Sequence, residues 1–168
     1  MGRLARTIPA IMLAFITYIV FSGSTSIYDL VTGTIISIIV GVITSNILLE
    51  NPSKIIDVRR WFWLIVYALH YFFIDEVKAH MDVIKRILHP KMPINPGIVK
   101  VPIKVKTDYT LTAVANSITN TPGTVVVEVD REKGYFYIHW IDVATVEPEE
   151  ARAQISEVFE KFAKHVFE

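Results

Sequence analysis

Cysteine is absent from this chain of 168 residues, and charged residues make up only 20% of it. Without cysteine the chain forms no disulfide, ligates no iron–sulfur cluster and carries no thiolate chemistry. Seventeen basic side chains balance seventeen acidic ones, so the net charge favours no nucleic-acid partner. Only Arg3, Arg6 and Asp29 are charged before Glu50. This uneven distribution predicts a membrane half followed by a half in contact with water.

A long run without charge, proline or histidine extends from Leu30 to Leu49. As a helix its twenty residues are about 30 Å long, which matches the hydrocarbon core of a bilayer. Small residues recur at every fourth position and predict a narrow stripe on one face: Gly33, Ser37, Gly41 and Ser45. Since membrane helices associate through close contact at small residues, we expect this helix-packing stripe to lie against another helix. We assign that helix to another chain.

The first apolar run, Ile8–Phe21, is shorter and is followed by small residues at Ser22–Ser26. Asp29 then stands where a carboxylate suits the positive end of a helix dipole. The two runs predict a transmembrane helical hairpin over residues 1–50. The turn of this hairpin has no lysine or arginine, whereas basic residues flank both of its ends. The positive-inside rule therefore predicts that both termini are cytoplasmic in a multi-pass protein of the cell membrane.

Residues 51–89 are predicted to form an interfacial or third membrane helix. The segment Trp61–Ile74 is apolar and aromatic, but its fourteen residues are few for a span. From Asp75 the pattern becomes amphipathic, with Val77, Met81 and Ile84 on one face. A third span would place the many later basic residues outside the cell, so we prefer a helix that lies on or dips into the cytoplasmic face of the membrane.

A proline-rich linker at 90–97 precedes a small cytoplasmic α/β domain at 98–168. The pattern predicts an edge strand interrupted by Pro102, a helix, a hairpin of two strands, and a last helix that opens at Pro148. The fold class is therefore an α+β membrane protein in which a transmembrane hairpin and a long amphipathic helix precede a β-α-β-β-α domain.

Ionisable residues at depth are what ion pathways through membranes need, and neither predicted span has one. Glu50, at the end of the second helix, reaches water. In the third helix His70, Asp75 and Glu76 are candidates for an ion path, although a solvated or headgroup-facing side is the simpler explanation and the one we favour. Their spacing fixes no metal geometry, and the sequence shows no catalytic constellation. We predict no catalytic residue, no metal and no cofactor.

Two stretches carry a family resemblance: Ile94–Val99, which contains Asn95, Pro96 and Gly97, and Ala115–Thr124, which ends in Thr121, Pro122, Gly123 and Thr124. Together with Val83–Leu88 and Tyr137–His139 they are similar to the signature of the E subunit of the Mrp-type multisubunit Na⁺/H⁺ antiporter. The similarity is strongest from Asp82 to Asp142. Asn120 stands where that pattern has leucine.

The resemblance implies an accessory, non-pumping subunit with a small cytoplasmic domain. Its partners would be the other membrane subunits of the complex and the lipid bilayer. The same antiporter module occurs in membrane-bound hydrogenases and related energy-converting complexes, where it couples electron transfer to ion translocation. The resemblance assigns the Pro-Gly motif residues a structural role only.

Two further hypotheses remain open at this stage. A stand-alone membrane protein could bind a ligand in its α/β domain, in a pocket near Asn116, Thr119 and His139. Alternatively, the chain could take part in the ion path directly through His70, Asp75 or Glu76.

Overall fold

The computed structural model describes residues 3–48 and 53–168, apart from the side chains of residues 3–5, 46, 48, 53 and 56. Glu50 and the predicted boundary between residues 50 and 51 lie outside these ranges. The chain divides into two compact units, Met1–Asp57 and Val58–Glu168.

The first unit is a helical hairpin. Helix α1 (Arg3–Ser22) and helix α2 (Ile27–Leu48) pack antiparallel, and a short helix α3 (Ser53–Ile56) follows. Among the described residues, Ile27–Ser45 is the one helical stretch both long and apolar enough to cross a membrane, and Arg6–Ser22 is a shorter apolar helix.

The start of α2 is capped as the sequence predicts. The Asp29 amide donates to the Ser26 hydroxyl (3.2 Å), and the hydroxyls of Ser24 and Ser26 donate to the Asp29 carboxylate (2.5 and 2.7 Å). These bonds satisfy a free N–H group of the first turn and place the carboxylate at the positive end of the helix. Asp29 is therefore committed to the helix end.

A long helix opens the second unit. It consists of α4 (Val58–His70), one turn of π-helix (Tyr71–Asp75) and α5 (Glu76–Leu88). The sequence set this helix apart as a region of its own, at residues 51–89. The structure instead places it in the same compact unit as the α/β domain, since aromatic residues on one face of α4 pack against the last helix.

The α/β part has a three-stranded antiparallel sheet in the order β1-β3-β2: β1 (Gly97–Pro102), β2 (Thr124–Asp130) and β3 (Tyr135–Trp140). β1 is an edge strand, as predicted, but it ends at Pro102, which the sequence analysis had placed inside the strand. A bulge between Val126 and Glu128 shifts the register of β2 on β3. Helix α6 (Asp108–Asn120) starts at its cap Thr107, whose hydroxyl accepts from the Thr110 amide.

The last helix is broken, which the sequence analysis did not predict. Helix α7 (Pro148–Ile155) ends at Ser156 and helix α8 (Glu157–Phe167) follows directly. Ser156 and Glu160 are both buried and hydrogen bonded to each other, at 2.8 Å. In one continuous helix Val158 would share an apolar face with Ile155 and Phe162, but with the break at Ser156 it is 40% exposed. The order is therefore β-α-β-β-α-α.

One hydrophobic core joins the sheet to the helices of this unit. Its fully buried members come from β1, α6 and β3: Val101, Val114, Ile118, Phe136 and Ile138. Tyr67 of α4, together with Phe159 and Ala163 of α8, belongs to the same cluster. The long helix thereby contributes to the core of the α/β domain.

Candidate functional site

The small-residue stripe of α2 lies against α1 of the same chain. All four of its members are buried. A Cβ atom built on Gly33 would lie 2.6 Å from the Tyr18 ring, and one built on Gly41 would lie 2.7 Å from the Ile11 backbone nitrogen. The backbones approach this closely because the stripe has no bulk. Our assignment of the facing helix to another chain is therefore wrong, since α1 fills the groove.

Large aliphatic side chains cover the outside of this hairpin. Ile35, Ile39 and Ile43 of α2 are between 55% and 68% exposed, and Met12 and Ile16 of α1 are similarly open. These branched and flexible side chains suit lipid or the helices of neighbouring subunits. A neighbouring protein would therefore contact the aliphatic faces of the hairpin. It would not contact the small-residue stripe, because α1 covers it.

The three ionisable candidates, His70, Asp75 and Glu76, lie at the π turn of the long helix and form two separate hydrogen-bonded pairs. His70 Nδ1 lies 2.9 Å from Asp75 Oδ2, and the Tyr71 hydroxyl donates to Glu76 Oε1 at 2.6 Å. His80 adds a second contact to the Glu76 carboxylate at 3.2 Å. Both primary pairs join residues five apart. In an α-helix such residues point about 140° apart, so they face each other only because the backbone is π-helical here.

Asp75 therefore pairs with His70 across the π turn. Asp82 pairs with Arg86 one helical turn further on, at 2.8 Å. His70 also lies 4.9 Å from the Phe162 ring centre. These contacts explain His70, Asp75 and Glu76 as parts of a local hydrogen-bonded structure.

Two tyrosines connect the π turn to α6. The Tyr67 and Ser117 hydroxyls form a hydrogen bond, and the Tyr67 ring stacks on Phe162 at 5.5 Å. Burial raises the pKa of the Tyr67 phenol. Burial, together with the hydrogen bond to the Glu76 carboxylate, raises the pKa of Tyr71 to about 12, while the Thr121 hydroxyl opposes the rise. Both phenols therefore stay protonated at neutral pH, and Tyr71 serves as a hydrogen-bond donor to Glu76.

The motif Thr121-Pro122-Gly123-Thr124 forms the turn between α6 and β2. The Thr121 hydroxyl donates to the Ser117 carbonyl (2.7 Å), and the Thr124 hydroxyl donates to the Ile118 carbonyl (2.8 Å). Pro122 sits between them in the turn, and Gly123 adopts φ +98°. A Cβ on Gly123 would lie 3.1 Å from Ile141 and 3.8 Å from Val83 of α5. The motif therefore allows the turn to approach both the sheet and the long helix.

The motif Asn95-Pro96-Gly97 joins the linker to the irregular segment that follows β3. Asn95 receives a backbone hydrogen bond from Val143 (2.8 Å), and its side-chain amide donates to the Val143 carbonyl. Pro96 follows it, and Gly97 opens β1 where a Cβ would lie 3.0 Å from Val143. Both motifs therefore occupy positions where the backbone must approach a neighbour closely.

Arg86 anchors the end of the long helix to this region. Its guanidinium bonds Asp82 and reaches Asp142 (2.7 Å) and the Pro93 carbonyl (2.9 Å). Helical spacing accounts for the Asp82 contact but gives no signal for Asp142, which lies 56 positions away. A second arginine, Arg152, was missed altogether: it binds the buried Glu160 carboxylate at 2.9 Å. Helical spacing gave no signal for that pair, since the break at Ser156 creates it.

The ligand pocket expected near Asn116, Thr119 and His139 is not formed by those three residues. Thr119 lies on α6, where its hydroxyl accepts from the Val126 amide (3.2 Å), and Asn116 is exposed. α6 packs on the sheet face that carries the buried Ile138. Successive residues of a strand point to opposite faces, so His139 lies on the other side of the sheet.

These features define a class of membrane protein in which an apolar helical hairpin precedes an α/β unit, and in which the ionisable candidates of the long helix are engaged in local hydrogen bonds. The sequence matches the family described as "Na+/H+ ion antiporter subunit" (MNHE) over residues 11–166. The chain belongs to this family, and the resemblance noted from its motifs is confirmed.

Curated relatives agree with this placement. The chain is 39% identical over 109 residues to the E subunit of the Na⁺/H⁺ antiporter of Alkalihalophilus pseudofirmus, a match that covers 65% of this chain and 66% of that relative. It is 35% identical over 138 residues to the E1 subunit of the Na⁺/H⁺ antiporter of Staphylococcus haemolyticus, covering 82% and 83%. The first match thus spans slightly under two thirds of that relative's length.

A solved structure resembles the whole chain. It is a chain of the membrane-bound sulfane sulfur reductase, described as an archaeal respiratory membrane complex. The two chains share 33% identity and a TM-score of 0.82, over 97% of this chain and 99% of the other. Both units of the present structure therefore have counterparts in a chain of a multisubunit membrane complex.

Proposed function

We propose that this chain is an accessory, non-pumping structural subunit of a multisubunit membrane complex that exchanges Na⁺ and H⁺. The observation that carries the proposal is the family match, which extends over both the apolar hairpin and the α/β unit. The hairpin itself supports a non-pumping role. Among its described residues the ionisable groups are confined to the two ends, at Arg6 and Asp29, so an ion would find no binding group at depth.

We further propose that α1 and α2 cross the membrane as a hairpin, with both termini in the cytoplasm. α1 has 20 residues and is therefore about 30 Å long, which suffices for a span when its polar ends lie at the interfaces. The long helix would then lie on the cytoplasmic face of the membrane. One face of this helix is committed to the domain core, whereas the opposite face exposes Trp61, Ile65 and Phe72.

The host complex has a second candidate. The likeness to a chain of an archaeal respiratory complex favours a role within a machine that couples electron transfer to ion translocation. The same subunit would serve either host, because its contacts are structural. The chain is then not an enzyme by itself, and its complex determines which reaction drives ion movement.

Purification of the tagged chain from its native membrane tests both versions. We expect large multi-span membrane subunits to co-purify, and identification of the other chains by mass spectrometry distinguishes the hosts. Redox subunits in the preparation would indicate the respiratory version, and their absence the antiporter. A chain that purifies alone would contradict the proposal. So would transport of Na⁺ or H⁺ by the chain reconstituted by itself in liposomes.

A further inference from the structure

A wide groove of about 780 Å³ lies between the long helix and the α7–α8 region. Basic and histidine side chains dominate its lining: His70, Lys104, Arg152, Lys161, Lys164 and His165. Two carboxylates, Glu157 and Glu160, also line it. Neither the packing of the core nor the motif turns described above accounts for this concentration of cations.

Both carboxylates of the groove are engaged by Arg152, and the four lysine and arginine side chains of the lining outnumber them. Arg152 binds Glu157 and Glu160 at 2.9 Å each, and Glu160 also accepts from the Ser156 hydroxyl. Lys104 is held by Glu149 at 2.8 Å. Hydrogen bonds from Lys104 and Arg152 keep the pKa of Glu149 below its ordinary value. The remaining cations, Lys161 and Lys164, have no ion pair within the part of the chain that the structure describes, and they lie one helical turn apart on α8.

Aromatic side chains border the groove on the side of the long helix. Trp63 stacks on His165 with ring centres 4.3 Å apart, and Phe62 meets Trp63 edge-on at 5.9 Å. Phe62 is 61% exposed, and Phe73, further along the same helix, is 72% exposed. An apolar surface thus continues outward from a cationic groove. Phospholipids with an acidic headgroup present the complementary pair of surfaces, an anionic phosphate next to acyl chains.

We propose that this groove binds the headgroup of an acidic phospholipid. Lys161 and Lys164 contact the phosphate, while the acyl chains lie over the exposed aromatic face of α4. This inference rests on the proposed function, since it requires the long helix to lie at the membrane surface. The lipid would fix the orientation of the α/β unit on the membrane without adding any ion-conducting group.

Lipid retention by the full chain in its purified complex tests the site. The complex is exchanged into mixed micelles that contain phosphatidylglycerol and phosphatidylcholine with identical acyl chains, and bound lipid is counted by native mass spectrometry. We compare the wild type with a Lys161→Gln/Lys164→Gln variant and with a charge-preserving Lys161→Arg/Lys164→Arg variant. The matched control is Lys100→Gln/Lys133→Gln, which removes the same charge from the exposed sheet side.

The groove variant should retain phosphatidylglycerol roughly 5- to 30-fold less well, because each lysine near an anionic headgroup contributes about a fivefold change in affinity. The arginine variant and the control should retain it as the wild type does. Equal retention by all four proteins, or an equal loss in the control, overturns the proposal. Displacement of the lipid by millimolar inorganic phosphate also overturns it, because the site would then take free phosphate.

Co-purification of the membrane subunits is measured in the same preparations. Wild type and groove variant should recover those subunits equally. Loss of lipid from a complex that is otherwise intact would then support the lipid site independently of the proposed function. If the wild type recovers no membrane subunits, the proposed function fails whatever lipid is bound. Equal unfolding temperatures of the variants exclude misfolding as the cause of a lower lipid count.

Discussion

At the residue scale, the ionisable side chains of the long helix illustrate how local geometry decides chemical role. His70 and Asp75, like Tyr71 and Glu76, are five positions apart and meet only because one turn is π-helical. Once paired, these groups satisfy each other and link the helix to the aromatic residues of the core. A role in the ion path would instead require groups that are free to bind and release an ion.

The pKa of Tyr71 provides a measurement of the hydrogen bond between Tyr71 and Glu76. Its folded pKa of about 12 exceeds the ordinary value of 10, so between these pH values the unfolded chain releases the proton first. The contribution of Tyr71 to stability is therefore complete below pH 10 and is lost as the pH rises towards 12. Replacement of Glu76 by Gln should lower the Tyr71 pKa, because a carboxylate acceptor favours the protonated phenol more than an amide does.

The difference in phenolate absorption between the full chain and its Tyr71→Phe variant isolates this titration from those of the other tyrosines. The same difference measured in the Glu76→Gln background gives the shift. A Tyr71 pKa that is unchanged by Glu76→Gln would show that burial alone raises it.

Gly123 presents a separate prediction at the residue scale. Its φ of +98° disfavours any residue with a side chain, and an added Cβ would lie 3.1 Å from Ile141. We expect Gly123→Ala to lower the free energy of unfolding by about 1–3 kcal/mol. Gly134, at φ +74° with open space around it, is the control, since asparagine tolerates that region and Gly134→Asn should cost less. Chemical denaturation of both variants provides the comparison, and equal losses would contradict the packing argument.

At the element scale, the hairpin shows how a small-residue stripe selects its partner. α1 follows the stripe of α2 so closely that Gly41 nearly touches the Ile11 backbone. The nearest helix in the sequence, joined by a short turn, fills the groove before any other chain can. The aliphatic faces are left for lipid and for neighbouring subunits.

Gly41→Leu should therefore disrupt the hairpin, since even the first added carbon would lie 2.7 Å from a backbone atom. We expect a loss of about 1–3 kcal/mol or more in detergent unfolding of the full chain, with Gly41→Ala in between. Val40→Leu changes an exposed neighbour and should leave the unfolding transition in place. Normal hairpin stability in Gly41→Leu would mean that α1 does not occupy the groove.

Arg86 is the second junction between elements. Its guanidinium binds α5, the linker and the segment after β3, so Arg86→Gln should lower stability by about 1–3 kcal/mol. Hydrogen exchange should speed up most at the Asn95 and Val143 amides, whose bonds lie next to this contact. Lys85→Gln, at an exposed position of the same helix, should change little. Arg86→Lys keeps the charge but loses the planar fork, so an intermediate effect is expected.

At the scale of the whole molecule, the absence of cysteine makes the proposed topology directly testable. A single cysteine at Thr25 reports on the exposed turn between α1 and α2, and one at Glu132 reports on the exposed β2–β3 turn. If both termini are cytoplasmic, an impermeant maleimide applied to intact cells should label Thr25→Cys and should leave Glu132→Cys unlabelled until the membrane is opened. Labelling of both positions in intact cells would favour the third span.

The sequence by itself determined the class of this protein. Uncharged runs predicted apolar helices, and Asp29 marked the region where α2 begins. Alternating, β-branched and aromatic patterns predicted three strands, although Pro102 ends the first strand and does not merely interrupt it. The Pro-Gly and Thr-Pro-Gly-Thr motifs were sufficient to place the chain in its family. All of these signals are local, since each depends on residues within a few positions of one another.

The tertiary structure alone decided which surfaces meet. It showed that α1 covers the small-residue stripe, that α4 packs into the core of the α/β unit, and that Arg86 reaches Asp142 across 56 positions. It also produced the π turn that pairs His70 with Asp75, and the break at Ser156 that buries Glu160 beside Arg152. Such contacts depend on how the elements pack. A periodic pattern specifies only which face of a helix carries apolar or small residues, and it does not specify which element will cover that face.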